Sequence, residues 1–577
     1  MTMLTKWGAA LDRSCPLPEY PRPQLRRESF YNLNGVWDYA VTPSGDEPEV
    51  WDGEIVVPFS PEAPLSGAAR GPAKDEYLHY RRGFTLPEEF QKSRVLLHFG
   101  AVDQIAEVFV NGVSAAKHSG GYWPFSADIT SLLREGENIL RVTVRDNADD
   151  PTFAYGKQRY KRGGMWYTAQ SGIWQTVWLE SVPEVYVKSL RITPEFDEAR
   201  VRIELETALE SSAAITCDVR AADGSFVAGS WAKGGVCVVP LPGFRAWTPD
   251  DPYLYTLDIT CGEDRVESYF AMRKFSYVEL DGHKVFGLNN APLFHNGLLD
   301  QGYYPDGLLT APSDEAMVND IETMKRCGFN MLRKHIKIEP LRWYYHCDRL
   351  GMIVWQDMVS GGQPYSFLHV SALPTLGKVD LPDQDAKPYG RSGVLSRARF
   401  RREMADTVRL LYNCPCIALW TVFNEGWGQF DALDMANELK KLDPTRFIDH
   451  ASGWQDQGYE EMKSRHIYFR PVKLKNDGRA LALTEYGGYI LAVDGHRWTD
   501  KVFGYRICRD SAALAHDYEK LMLGQVLPHI RKEGLTAAVY TQITDVEEEL
   551  NGLMTYDREV LKIPEETLRE INKQLKF

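Results

Sequence analysis

Long apolar runs are missing from the 577-residue sequence. No stretch approaches the roughly 18 residues that cross a bilayer, so a membrane span is excluded. The opening MTMLTKWGAALDRSC has no apolar signal core, which argues against export by that route. Cysteine is scattered. Of nine residues, only Cys414 and Cys416 lie close together, with no second pair or histidine at ligand spacing. A zinc site is therefore not expected, and reduced thiols in a cytoplasmic protein are. Positive charge is in deficit. Lys and Arg total 66 against 80 Asp and Glu, a net charge of −14. Such a surface repels phosphate backbones, so neither nucleic acid nor membrane is an expected partner.

Aromatic residues are plentiful, at 12% of the chain. Large β-rich cores account for most of them. Aromatic faces also suit the flat C–H faces of sugar rings. Residues 1–183 carry short alternating runs, among them Arg94–Phe99, Ala106–Val110 and Ile139–Val144, and an Asn111-Gly112 hairpin signal. This pattern predicts a β jelly roll, with Gly172–Trp178 in its closing strand. Residues 184–276 repeat the pattern at the length of an immunoglobulin-like β-sandwich.

From residue 277 the texture changes to alternating strand and helix. Ser313 caps a helix with Asp314 and Glu315 in its first turn, and Gly328 ends it. Strands are predicted at Asn330–Ile336, Met352–Trp355, Ile417–Phe423, Arg446–His450, His466–Phe469, Leu481–Thr484 and Ala537–Gln542. Repeated β-then-α over 277–577 predicts a (β/α)8 TIM barrel. The Gly-, Pro- and Ser-rich 360–395 segment is too long for an ordinary connection and is expected over the active-site face.

Catalytic groups of such barrels sit at the C-terminal ends of strands. Glu425 ends the apolar run from Ile417, and Glu485 ends Leu481–Glu485. A carboxyl there is costly unless it is paired or used. Each alone could cap a helix or pair with an arginine. Two on separate strands point to paired carboxylate chemistry, as glycoside hydrolysis requires.

Asn424-Glu425-Gly426-Trp427 and Thr484-Glu485-Tyr486-Gly487 resemble the two signatures of glycoside hydrolase family 2. The three-part layout and the Arg333–Gly351 segment fit the same family. The resemblance implies a retaining two-step mechanism, with Glu425 as acid/base and Glu485 as nucleophile. It implies that Asn424 holds the sugar 2-hydroxyl and that Arg333 aims Glu485. Period-two alternation puts Arg333, His335 and Lys337 on one side of their strand. The family usually has a histidine three residues after the arginine, where Ile336 stands here. Asp300, Asp357, His466, Tyr468 and Gln542 fall at predicted strand ends as candidate sugar contacts. Trp454 and Trp427 are candidate stacking residues. For each of these a structural role is the alternative.

Departures from the family bear on substrate. The Asn-x-Lys pair that grips the carboxylate in β-glucuronidases is not visible after the last strand. The acidic run Glu547–Glu549 occupies that region. The metal-binding segment of large β-galactosidases is unmatched, so no cofactor or required metal is expected. The leading expectation is an exo-β-galactosidase acting on a carbohydrate substrate. A β-hexuronidase, for glucuronides or galacturonides, is second, supported by the Arg333/His335/Lys337 stripe. A catalytically dead carbohydrate-binding protein is third. Family members commonly associate, which leaves a homo-oligomer open.

Overall fold

The computed structural model describes residues 3–90, 92–209, 214–376 and 380–577. The N-terminal β domain is built on two large antiparallel sheets, with two small two-stranded ones beside them. Six strands run in the order Gly53–Val57, Gly35–Thr42, Tyr77–Thr85, Glu137–Arg145, Ile105–Val110 and Val113–Ser119. The other sheet contains Tyr31–Asn32, Val177–Val182, Arg94–Phe99 and Phe125–Asp128. In Ile105–Val110 alternate residues Ala106, Val108 and Val110 face the core between the sheets. Asn111 and Gly112 turn the hairpin with φ of 51° and 83°. The closing segment is split. Gly172–Ile173 pairs with Val102–Asp103, and Val177–Val182 joins the four-stranded sheet.

Seven strands between Val187 and Phe270 form the immunoglobulin-like sandwich, three in one sheet and four in the other. Tyr255, Leu257, Ile259 and Cys261 alternate into its core. Trp247 is fully buried and its indole donates to the Asp348 carbonyl at 2.8 Å, tying the sandwich to the barrel.

The barrel strands are β1 (His295–Asp300), β2 (Met331–Lys334), β3 (Ile353–Asp357), β4 (Ile417–Thr421), β5 (Phe447–Asp449), β6 (Met462–Ile467), β7 (Ala480–Gly487) and β8 (Leu535–Thr541). All adjacent pairs are parallel, and the hydrogen-bonded order is β5-β4-β3-β2-β1-β8-β7-β6. Ser313 accepts from the Ala316 amide to start the helix Asp314–Arg326, as its sequence predicts. The regular alternation fails in one place. No helix lies between β5 and β6 or between β6 and β7.

The barrel is therefore nearly closed, with a seam between β5 and β6 where no strand pairing occurs. Ser464 on β6 bridges it. Its hydroxyl contacts Asp449 Oδ1 at 2.9 Å and the Ala451 carbonyl at 3.1 Å, and accepts from the Gly453 amide at 3.3 Å. Ser464→Ala removes these bonds and leaves buried partners unmet. It should lower the unfolding free energy by about 1–3 kcal/mol in urea titration.

Candidate active site

The chain leaves β4 and carries Glu425 onto the mouth of the barrel. The Glu425 amide donates to the Ser452 carbonyl at 2.9 Å, and Glu425 adopts φ of 54°. A non-glycine residue held in the left-handed region costs free energy and marks a constrained position. Here the turn aims the side chain inward, and Gly426 completes it with φ of 73°. Glu485 projects from within β7 and is 5% exposed. His466, near the end of β6, stands between the two. Its Nδ1 lies 2.8 Å from Glu425 Oε1 and 3.6 Å from Glu485 Oε2.

Arg333 on β2 organises the floor. It is fully buried. Nε and Nη2 donate to the two Asp357 oxygens at 2.9 and 3.0 Å. Nη1 donates to Glu485 Oε1 at 3.2 Å and the Thr484 carbonyl at 3.1 Å. Nη2 also reaches Asn424 Oδ1 at 2.8 Å. That bond consumes the amide oxygen, so the Asn424 NH2 remains to donate into the cavity. The guanidinium also faces His466 Nε2 at 3.5 Å. An arginine cannot accept, so Nε2 is the acceptor and the His466 proton sits on Nδ1, toward Glu425.

Burial raises both glutamates, while Asp357 is held low. Burial pushes Glu425 up to about 7, against a weaker downward pull from Lys157 and Arg333. Burial also raises Glu485, and the Glu425 charge adds to this while His466 and Arg333 oppose it. Tyr468 donates to Glu485 Oε2 at 2.8 Å. Burial raises Asp357 too, but Arg333 and His335 outweigh it and hold that carboxyl at about 2. His335 is pushed down to about 3, chiefly by burial, so it is neutral and its Nδ1–H meets Asp357 Oδ2 at 2.7 Å.

Glu425, Glu485, Asn424, His335 and Tyr468 line one cavity. Arg333, Asp357 and His466 stand behind it and position its walls. Three candidates do not reach it. Asp300 is bound to Lys334 Nζ at 2.6 Å and accepts from the Gly302 amide. Gln542 is fully buried and donates to Asn551. Trp454 turns its indole N–H to the Glu425 and Val370 carbonyls and lines a neighbouring cavity. The Arg333/His335/Lys337 stripe also breaks. β2 ends at Lys334, Ile336 takes φ of 53°, and Lys337 is turned onto Glu339 and the Gly302 and Leu309 carbonyls.

Several lining residues had no signal in the sequence. Lys157, Met165 and Trp166 come from the N-terminal β domain and Tyr505 from a barrel loop, whereas Glu549, which also lines the cavity, belongs to the acidic run that the sequence singles out. The 360–395 segment does cover this face through Tyr365, Val370 and Ser371. Its residues 377–379 lie outside the described residues. The acidic run mostly fastens the N-terminal loop. Glu547 accepts from the Thr168 amide at 2.8 Å and from Arg162, Glu548 accepts from the Gly164 amide at 2.9 Å, and Glu549 accepts from the Tyr167 hydroxyl.

Three family models match in order. They are "Glycosyl hydrolases family 2, sugar binding domain" at 64–183, "Glycosyl hydrolases family 2" at 185–273, and "Glycosyl hydrolases family 2, TIM barrel domain" at 283–472. The chain belongs to glycoside hydrolase family 2. A β-galactosidase of Thermoanaerobacter pseudethanolicus is 25% identical over 387 residues, covering 64% of this chain and 47% of that protein. The human β-glucuronidase is 22% identical over 507 residues, covering 78% and 73%. The chain thus spans under half the length of the β-galactosidase. Among solved structures, a β-glucuronidase of an uncultured Clostridium sp. superposes with a TM-score of 0.73 at 19% identity, covering 95% of this chain and 98% of that one. A β-galacturonidase from Eisenbergiella tayi bound to galacturonate gives 0.71 at 18%, covering 96% and 99%. At these identities the structural likeness is one of fold.

Glu425, His466 and Glu485 each offer one ligand atom within 4.8 Å of the others, the one such group among the described residues. Arg333 already sets a full positive charge 3.2 Å from Glu485. That charge opposes a second cation at the same point.

The family-2 scaffold thus holds its carboxylates through one buried guanidinium. Arg333→Ala would strand Asp357 and Glu485 without their counterion. It should cost about 3–5 kcal/mol of stability by denaturant titration. Arg333→Lys should recover only part, since one ammonium cannot reproduce the forked contacts.

Proposed function

We propose that this chain is a retaining exo-β-glycosidase that works by double displacement. The observation that carries the reading is the carboxylate spacing: an oxygen of Glu425 and an oxygen of Glu485 lie within 4.8 Å of each other. Retaining enzymes set their carboxyl groups about 5–5.5 Å apart, whereas inverting enzymes leave roughly 6.5–9.5 Å for a water.

The geometry then divides the labour. Glu485, flanked by the Arg333 guanidinium and the Tyr468 hydroxyl, attacks the anomeric carbon as a carboxylate. Glu425 keeps its proton near neutrality and gives it to the departing glycosidic oxygen. The aglycone leaves and a glycosyl ester of Glu485 remains. Esterification removes the Glu485 charge, so the Glu425 pKa falls and Glu425 becomes the base that deprotonates water. Water attacks the anomeric carbon, Glu485 departs as carboxylate, and the sugar is released with retained configuration. Asn424, its oxygen held by Arg333, presents N–H to the sugar 2-hydroxyl.

For the sugar, a β-galactoside is the neutral reading. One premise for it has weakened, since Glu547 and Glu548 are spent on the N-terminal loop and Glu549 alone of the run lines the cavity. The stripe that favoured a β-hexuronide has weakened equally. What favours the hexuronide now is Lys157 in the cavity wall. A cytoplasmic setting fits nine cysteines scattered through the sequence.

The test is a panel of aryl β-glycosides, namely galactoside, glucuronide, galacturonide, glucoside, mannoside and fucoside, together with the α-L-arabinopyranoside. Each is run with wild type and variants. Glu485→Gln should abolish turnover of whichever sugar is cleaved. Glu425→Gln should slow it about 10²–10⁴-fold, least for the most activated leaving group. NMR of the first-formed sugar should show retention. An inverted product would sink the double-displacement reading.

The pH profile follows from the same groups. The Glu425 carboxyl must be protonated for the first step and sits at about 7. Therefore kcat/KM should fall as pH rises through about 7, and Glu425→Gln should erase that limb. A rate flat to pH 9 would remove Glu425 from the acid role.

A further inference from the structure

The cations near the active site are nearly all spoken for. Arg333 is bound by Asp357 and Glu485, Lys334 by Asp300 and Glu339, and Lys337 by Glu339. Lys157 is different. It lines the cavity with Glu425 and Glu485, yet its Nζ has no hydrogen-bond or ion-pair partner among the described residues. The amine stands 5.7 Å from the centre of the Tyr167 ring.

Its backbone is held firmly. The Lys157 carbonyl accepts from the Tyr167 amide at 2.9 Å, and Gln158–Arg159 pairs in parallel with Tyr167–Thr168. Just before it, the Tyr155 and Gly156 amides donate to the Ser360 carbonyl of the barrel at 3.1 and 2.9 Å. The glutamates after β8 clamp the other side of the loop. The N-terminal domain therefore delivers an ammonium to the barrel mouth at a fixed place.

A second cavity points the same way. It is lined by His466 and Trp454, both of which hydrogen-bond Glu425. Its lining includes Arg470, Lys473 and Lys475, whose side chains meet no acid among the described residues. This cavity occupies the flank of β6 that no barrel helix covers. Free cations collected here contrast with a chain of net charge −14.

Resting on the glycosidase reading, we infer that Lys157 is a specificity-determining residue that receives an anionic group of the substrate, a carboxylate or sulfate ester. A neutral sugar displacing water from the cavity would leave the ammonium unmet, whereas an anion supplies a charge-assisted bond. The charge belongs either to the terminal sugar, as in a uronide, or to the sugar that departs.

Matched substrate pairs separate these sources. One pair is the 4-nitrophenyl β-galactoside and β-galacturonide, with the β-glucoside and β-glucuronide alongside. The other pair carries one cleaved sugar on either a neutral or a uronate leaving sugar. In at least one pair, wild type should prefer the charged member. Lys157→Met should lower that preference, read as the ratio of kcat/KM values, by about 100-fold. Lys157→Arg should keep most of it.

Two results overturn the inference: a ratio unaltered in Lys157→Met, or an equal loss on every substrate with a displaced pH limb. The latter would make Lys157 a field acting on the carboxylates. Glu485→Gln is the separate control. Turnover that survives it defeats the double-displacement reading on Glu485, whatever Lys157 does.

Discussion

One buried cation holds this site together. Arg333 carries its charge at the floor of the barrel, where an unpaired ion would be prohibitively costly, and the structure surrounds it with acceptors from β3, β7 and the segment that follows β4. Each acceptor is fixed by the contact. Asp357 is taken out of the cavity and given a structural task. Asn424 is held by its side-chain oxygen at the cavity wall. Glu485 is aimed. His466 is forced into one tautomer, and that tautomer's N–H points at Glu425. The geometry of two glutamates on different strands is thus set through a residue that touches no solvent.

This hub explains what was legible in the sequence. Glu425, Glu485, Asn424 and Arg333 each sit at a strand end inside a short motif. A motif is local, so one chain suffices to find it. The fold was legible for the same reason: alternation marks half-buried strands, and Ser313 with Asp314 and Glu315 marks a helix start. Errors fall where local pattern and environment part. β6 runs Met462–Ile467, but Lys463 and Arg465 hid its first half from a reading that expected a buried strand. They are tolerated because no helix covers that flank. Asp300 ends β1 and Gln542 directly follows β8, but buried partners, Lys334 and Asn551, claim them. Alternation could not foresee that Ile336 would turn and carry Lys337 away.

The contribution of the N-terminal domain was illegible for a deeper reason. Lys157 and Trp166 meet Glu425 across more than 250 positions of sequence. Nothing periodic or local encodes that meeting. What encodes it is a set of bonds between loops, in which Glu547, Glu548 and Glu549 accept from the 162–168 loop. In the sequence the same three residues read as a negatively charged wall. In the fold their charge is largely used up in holding one domain against another, so they say less about the substrate than their composition implies.

The asymmetry between the two catalytic candidates follows from what surrounds each. Both are raised by burial. Glu485 has compensation from a guanidinium and a tyrosine hydroxyl. Glu425 has a neutral imidazole and a side chain still 23% exposed toward the cavity. The group with less support for its charge is the one that keeps a proton near pH 7. Exchanging the roles would require the better-compensated carboxyl to hold the proton while the poorly compensated one attacked as an anion. The arrangement of Arg333 and Tyr468 opposes that exchange. The polarity of the proposed mechanism would thus be set at the floor of the barrel, before any sugar enters.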